Sequence, residues 1–208
     1  GYPAQFPMDL LRVMREQPKV CKYLDIALQH ASDHMLRVMR RGVTRQETEE
    51  LLRRMREEVP GIAIRTTLMV GHPEETDGDF EELMDFVREQ RFERMGAFMY
   101  SHEEGTYDYR HYSDNVPQEV KAERYDRLMT LQQEIAIETA ESMVGKTLRV
   151  LVDREEEGHY IGRTEYDSPD VDPEVILTGE ASVGEFCQVR ITGTADYDLI
   201  GEVLSSES

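Results

Sequence analysis

Three strand-length apolar runs, each ending abruptly in polar residues, constrain this chain more than anything else in it. Tyr23 to Leu28 (YLDIAL) is interrupted only by Asp25 and stops at Gln29 and His30. Ile62 to Val70 (IAIRTTLMV) runs into the turn Gly71-His72-Pro73-Glu74-Glu75. Met95 to Tyr100 (MGAFMY) runs into Ser101-His102-Glu103-Glu104-Gly105-Thr106. Runs of this length and character are buried strands.

Helices with clear starts lie between them. Ser32 caps a segment carrying Met35, Leu36 and Met39, which Gly42 stops. Thr44 to Glu47 is a capping box ahead of Thr48, Leu51, Leu52, Met55 and Val59, and Thr76 to Asp79 opens a helix with Phe80, Leu83, Met84 and Val87 at i, i+3, i+4, i+7. Phe6 to Glu16 is a short amphipathic helix, and Thr106 to Asn115 is a loop. Pro117 starts a last long helix whose inner side carries Val120, Leu128, Leu131 and Ile135, ending near Met143. Alternating strands and helices imply an α/β fold: residues 1–143 as a partial (β/α) barrel of parallel strands, binding ligands where the strands end.

After Val144-Gly145 the pattern changes. Thr147–Val152, Tyr160–Thr164, Val175–Leu177, Phe186–Thr192 and Leu199–Val203 are short strand-like runs between Gly, Pro and acidic turns. Residues 144–208 are therefore expected to form a small all-β antiparallel barrel of the OB-like size class. Five basic residues there, Lys146, Arg149, Arg154, Arg163 and Arg190, face fifteen acidic ones. Over the whole chain 24 Lys and Arg stand against 43 Asp and Glu, a net charge of -19. Such a surface disfavours nucleic acid and suits a basic partner.

No apolar run approaches the roughly 18 residues of a bilayer span, and GYPAQFP lacks the charged start and apolar core of a leader, so no membrane partner is expected. Cys21 and Cys187, the only cysteines, fit a reducing, cytoplasmic setting and cannot ligate a cysteine-held cluster.

The strand ends collect the residues that could carry chemistry. Their His and Glu match no compact metal-ligand spacing, so no metal site is expected, and His72 and His102 are expected at the surface or behind the contacts. As a cofactor cradle the set is coherent. A ligand can approach the backbone at Gly71 closely, and a carboxylate such as Glu75 can take a ribose hydroxyl or an ammonium. No Ser-His-Asp or Cys-His nucleophile system, hydride-transfer fingerprint or phosphate loop is present.

Four motifs carry a family resemblance. YLDIALQHASDHMLRVMRRG and RTTLMVGHPEET resemble segments of the radical S-adenosylmethionine methylthiotransferases, the second matching their G-F-P-G-E-T turn with His72 for the common Phe and Glu74 for the common Gly. FMYSHEEGT is similar to the next motif as found in the branch that modifies a ribosomal protein. GRTEYDSPDVD resembles that branch's G-R-T-x-x-D-A-P-x-x-D signature, in the domain called TRAM.

The resemblance covers nearly the whole chain. It implies an enzyme that adds a methylthio group to the β-carbon of an aspartate of small-subunit ribosomal protein twelve, using S-adenosylmethionine and two 4Fe-4S clusters. It implies cofactor contacts at Asp25, Gln29, His30, Gly71, Glu75, Tyr100 and Ser101, and contacts to the protein substrate at Asp167, Asp170 and Asp172. It points to no catalytic residue. The family's amino-terminal cluster domain and C-x-x-x-C-x-x-C loop are not in this sequence, so the chain is expected to be the carboxyl-terminal part of such an enzyme, inactive alone. The alternatives are part of a tRNA methylthiotransferase, or an acidic adaptor that binds a basic protein without catalysis.

Overall fold

The computed structural model describes residues 3–169 and 171–207. They fall into two compact units, one of Gly1–Val20 with Leu24–Gln132, the other of Cys21–Tyr23 with Gln133–Ser208.

The first unit holds a sheet of three strands in the order β1 (Tyr23–Gln29), β2 (Ala63–Val70), β3 (Arg94–Met99). β2 and β3 run parallel, with Thr67 opposite Gly96 and Val70 opposite Met99. Alternation sends Ile26, Leu28, Ile64, Thr66, Leu68, Val70 and Met95 into the core. The Thr66 hydroxyl, wholly buried, donates to the Ile26 carbonyl at 2.8 Å, so its polarity is spent inside the sheet.

Helices cover that face: α1 (Asp9–Glu16), α2 (Asp33–Val38), α3 (Arg45–Glu58) and α4 (Asp77–Gln90). Their starts are those the sequence specifies. The Ser32 side chain accepts from Met35 N–H, and Thr44 with Glu47 and Thr76 with Asp79 both close reciprocal capping boxes. α2 is shorter than its apolar spacing suggests, ending at Val38 with Met39 as its C-cap before Arg40 turns left-handed (φ 56°). Phe80, Phe86 and Phe92 are fully buried, each contributing about 2–3 kcal/mol by area.

Two expectations change. Thr106 to Asn115 is not loop throughout: Thr106 caps a short helix, α5 (Tyr107–His111). On the last helix, α6 (Gln118–Glu141), Lys121, Arg124, Leu128, Gln132, Ile135 and Ala140 are the buried positions, whereas Val120 and Leu131 are half-buried.

The second unit is a closed barrel in the order β4 (Thr147–Glu156), β5 (His159–Thr164), β6 (Val175–Thr178), β8 (Asp198–Glu207), β7 (Phe186–Ala195). Val150, Val152, Val175, Leu177, Cys187, Val189, Ile191, Leu199 and Ala140 fill it. Four pairings are antiparallel and one, β6 with β8, is parallel. A ring of five strands cannot alternate direction all the way round, so one parallel pair is geometrically required. Closure leaves no unpaired edge.

Gly162 makes that closure possible. A Cβ there would stand 2.5 Å from the Leu151 carbonyl oxygen of the neighbouring strand, whereas one on Gly193 would meet nothing within 4 Å. Gly162→Ala is expected to destabilise the barrel by about 2 kcal/mol and Gly193→Ala by less than about 0.5 kcal/mol, measured by denaturant unfolding; equal effects would contradict this packing.

Candidate active site at the strand ends

The carboxyl ends of β1 and β2 are joined by one buried carboxylate. Glu75, whose side chain has no exposure, accepts at Oε1 from Gly71 N–H at 2.9 Å and from the Arg124 guanidinium at 2.6 Å. Its Oε2 lies 3.1 Å from His30 Nε2, and the His30 side chain is equally buried. On the far side of that ring, Nδ1 accepts from Ala31 N–H at 2.9 Å and Ser32 N–H at 3.1 Å. Gln29, His30, Gly71 and Glu75 thus meet around one network.

The backbone at these ends is bent into the left-handed region at three points: Gln29 (φ 72°), Gly71 (φ 74°) and Glu74 (φ 71°). Gly71 must be glycine twice over, since a Cβ would collide with the Lys121 side chain packed on it. Glu74 takes the same geometry without being glycine, at a cost of about 1 kcal/mol. Asn115 offsets this, accepting from Glu74 N–H and donating to its carboxylate, both at 3.1 Å. Gln29 adds a second signature of a binding surface: its Oε1 is buried and has no hydrogen-bond partner among the described residues.

The end of β3 joins through rings. Tyr100 N–H donates to the Val70 carbonyl, and the Tyr100 ring meets His72 edge-on at 4.9 Å. Contrary to a surface placement, His72 is 1% exposed. It fills an aromatic slot against Tyr100 and Tyr112, with Nδ1 2.8 Å from the Pro73 carbonyl and Nε2 3.1 Å from Asp108. The Tyr100 hydroxyl pairs with His102 Nδ1 at 2.9 Å; burial first, then Asp108, Asp114 and Glu103, push its pKa up and keep it neutral. Ser101 is exposed beside it.

Two cations of α6 were hidden in the sequence, because polar residues on a helix normally signal its solvent side. Lys121, with a buried side chain, binds both Asp114 oxygens at 2.7 and 2.8 Å and reaches the Tyr100 carbonyl at 3.4 Å. Arg124 also bonds the Glu75 carbonyl and, at 2.7 Å, Asp77.

Asp79 secures the turn below. It accepts from Ser32, from the Thr76 hydroxyl and N–H, and pairs with His34 Nδ1 at 2.9 Å. Burial pushes this carboxyl up, but the bonds from Ser32, Thr76 and His34 outweigh it and hold it well below the usual 3.8.

Other candidates lie apart from the network. Asp25 pairs with Arg65 at 3.0 Å, four residues before Gln29 along β1. In the barrel, Asp167 takes the Thr164 hydroxyl at 2.5 Å and Asp172 takes Ser168 N–H at 2.7 Å; Asp170 lies outside the described residues. Cys21 is exposed and Cys187 buried, and no group of three His, Cys, Asp or Glu is placed to hold a metal ion among the described residues.

A radical SAM superfamily model matches residues 3–87 and a TRAM domain model residues 144–204. Two bacterial proteins named ribosomal protein uS12 methylthiotransferase RimO match nearly the whole of this chain. That of Parabacteroides distasonis is 61% identical over 99% of this chain and 48% of its own length; that of Bacteroides thetaiotaomicron is 56% identical over 99% and 48%. The chain is similar to a part of these RimO proteins. It spans about half the length of these relatives. Coproporphyrinogen III oxidase (HemN) of Escherichia coli, a radical SAM enzyme, shares the fold at a TM-score of 0.55 and 14% identity, covering 90% of this chain and 44% of that one. The radical SAM model thus covers β1, β2, the turn at Gly71 to Glu75 and most of α4, and the TRAM model covers the five-stranded barrel. No helix of the described residues is long and apolar enough to cross a membrane.

Because the Asp79 carboxyl is held below its ordinary value, its contribution is full above pH 3.8 and lost as pH falls further. Asp79→Asn is expected to be about 2 kcal/mol less stable than the native chain at pH 7, with the gap closing below pH 4. A gap that does not change with pH would rule this out.

Proposed function

We propose that this chain is the cofactor- and substrate-positioning part of a methylthiotransferase that modifies the β-carbon of an aspartate of ribosomal protein uS12. The observation that carries the reading is the 61% identity to a relative of that name across the whole chain. In this reading residues 1–143 form the radical SAM part and residues 144–208 the TRAM domain.

S-adenosylmethionine fits the strand ends on the structure's own terms. Gln29 presents a buried acceptor without a partner among the described residues, while Gly71, covered by Lys121 and bonded through its N–H to Glu75, shapes the turn beside it. When bound, S-adenosylmethionine supplies the radical and methyl chemistry. The chain's own residues bind and orient. Gln29 Oε1 accepts from a nucleoside hydroxyl or ammonium, and the exposed Ser101 with Tyr100 borders the substrate. His30 and Glu75, fully buried and paired with each other, act from behind by fixing the backbone. Asp25, tied to Arg65, lies further from the reacting end.

The residues present do not fit an iron-sulfur cluster: two cysteines, one buried in the barrel core, offer no ligand set. The two 4Fe-4S clusters of the proposed enzyme would be held by sequence beyond this chain.

The partner is a basic protein. Asp167, Asp170 and Asp172 belong to a TRAM domain whose five cations are outnumbered threefold, a surface suited to a cationic ribosomal protein rather than to tRNA. A cytoplasmic setting follows from that partner. Titrating the chain with uS12 and with tRNA at matched salt is the test: uS12 is expected to bind at least tenfold more tightly, while preference for tRNA would move the chain to the tRNA-modifying branch and no binding of either would remove the substrate reading.

A further inference from the structure

The deepest polar contacts of the first unit form a line from α6 to the end of β1. Arg124 holds Glu75 Oε1 at 2.6 Å and the Glu75 carbonyl at 3.2 Å, so the carboxylate cannot rotate away. Gly71 N–H completes the grip on the same oxygen at 2.9 Å. Only Oε2 is left, and it faces His30 Nε2. With Nδ1 accepting from two backbone N–H groups and Nε2 facing the Glu75 carboxylate, contacts on both sides of the ring set its proton on Nε2, from which it is donated to Glu75. A proton on Nδ1 instead would displace Ala31 and Ser32, the residues through which β1 turns into α2. Gln29, with its left-handed backbone and unpartnered acceptor, directly precedes that turn.

We propose that Arg124 is a positioning residue for the β1 end: through Glu75 it fixes the tautomer of His30, and through His30 it fixes the turn that presents Gln29. The consequence for ligand binding rests on the cofactor reading above; the relay itself does not. It acts at a distance, since the hydrogen bonds of Arg124 among the described residues go to Glu75 and Asp77, and each side-chain step is a hydrogen bond between groups at most 6% exposed.

Ring ¹⁵N–¹H correlation spectra of His30, with amide exchange rates of Ala31 and Ser32, test it on the chain as it stands. The native chain is expected to show a single Nε2–H tautomer. Arg124→Met is expected to lose that single state and raise exchange at Ala31 and Ser32 at least tenfold, leaving Val189 in the barrel unchanged. Arg124→Lys, which keeps a cation beside Glu75, restores the tautomer. Should Arg124→Met fail to fold, Glu75→Gln with Arg124→Met leaves neither charge buried alone and carries the same readout. Either variant keeping the native tautomer and exchange rates would overturn the relay. If the relay responds as expected but S-adenosylmethionine binds an Arg124→Met enzyme normally, the cofactor reading of Gln29 falls and the relay stands.

Discussion

A carboxylate with no solvent contact is the interaction on which the strand-end architecture depends. Glu75 is wholly buried and joined to three parts of the unit: its own turn through Gly71, α6 through an ion pair with Arg124, and the end of β1 through His30. An ion brought out of water costs several kcal/mol unless every lone pair is used, and here both oxygens are engaged. Removing any one partner leaves the others to bear that cost. The arrangement is therefore cooperative, and it converts separate strand ends into one surface of fixed shape.

Burial also divides the work at this surface. Groups that could be taken for ligand contacts, His30 and Glu75, are consumed by each other. What remains is the Gln29 acceptor and the exposed Ser101. Lys121 extends the logic to β3, holding Asp114 and the Tyr100 carbonyl while packing on Gly71. In the TRAM barrel the constraint is different in kind. An odd number of strands forces one parallel pair, and Gly162 lets two strands approach closely enough to close the ring.

Much of this was legible in the sequence, for identifiable reasons. Capping at Ser32, Thr44 and Thr76 was readable because caps are local, and the five barrel strands because alternation and turns are local too. Glu74 stands where the resembling turn commonly has Gly, and the left-handed backbone of that position is kept, with Asn115, 41 residues away, supplying a compensation the sequence does not display. Lys121 and Arg124 were invisible because their partners lie 7 to 49 residues away and helical periodicity counts cations as solvent-facing. For His72 the sequence left a choice between the surface and a place behind the contacts, because its buried slot is built by Tyr100 and Tyr112 from other segments. α5 escaped because a five-residue helix has too few turns for a period to show.

The central claim is that Glu75 and Arg124 are energetically one unit. A double-mutant cycle on unfolding free energy, combining Glu75→Gln and Arg124→Met, tests it most directly. A coupling of about 2 kcal/mol or more, with the double variant more stable than Arg124→Met alone, is the predicted result. A coupling below about 0.5 kcal/mol, the level of independent sites, would contradict it.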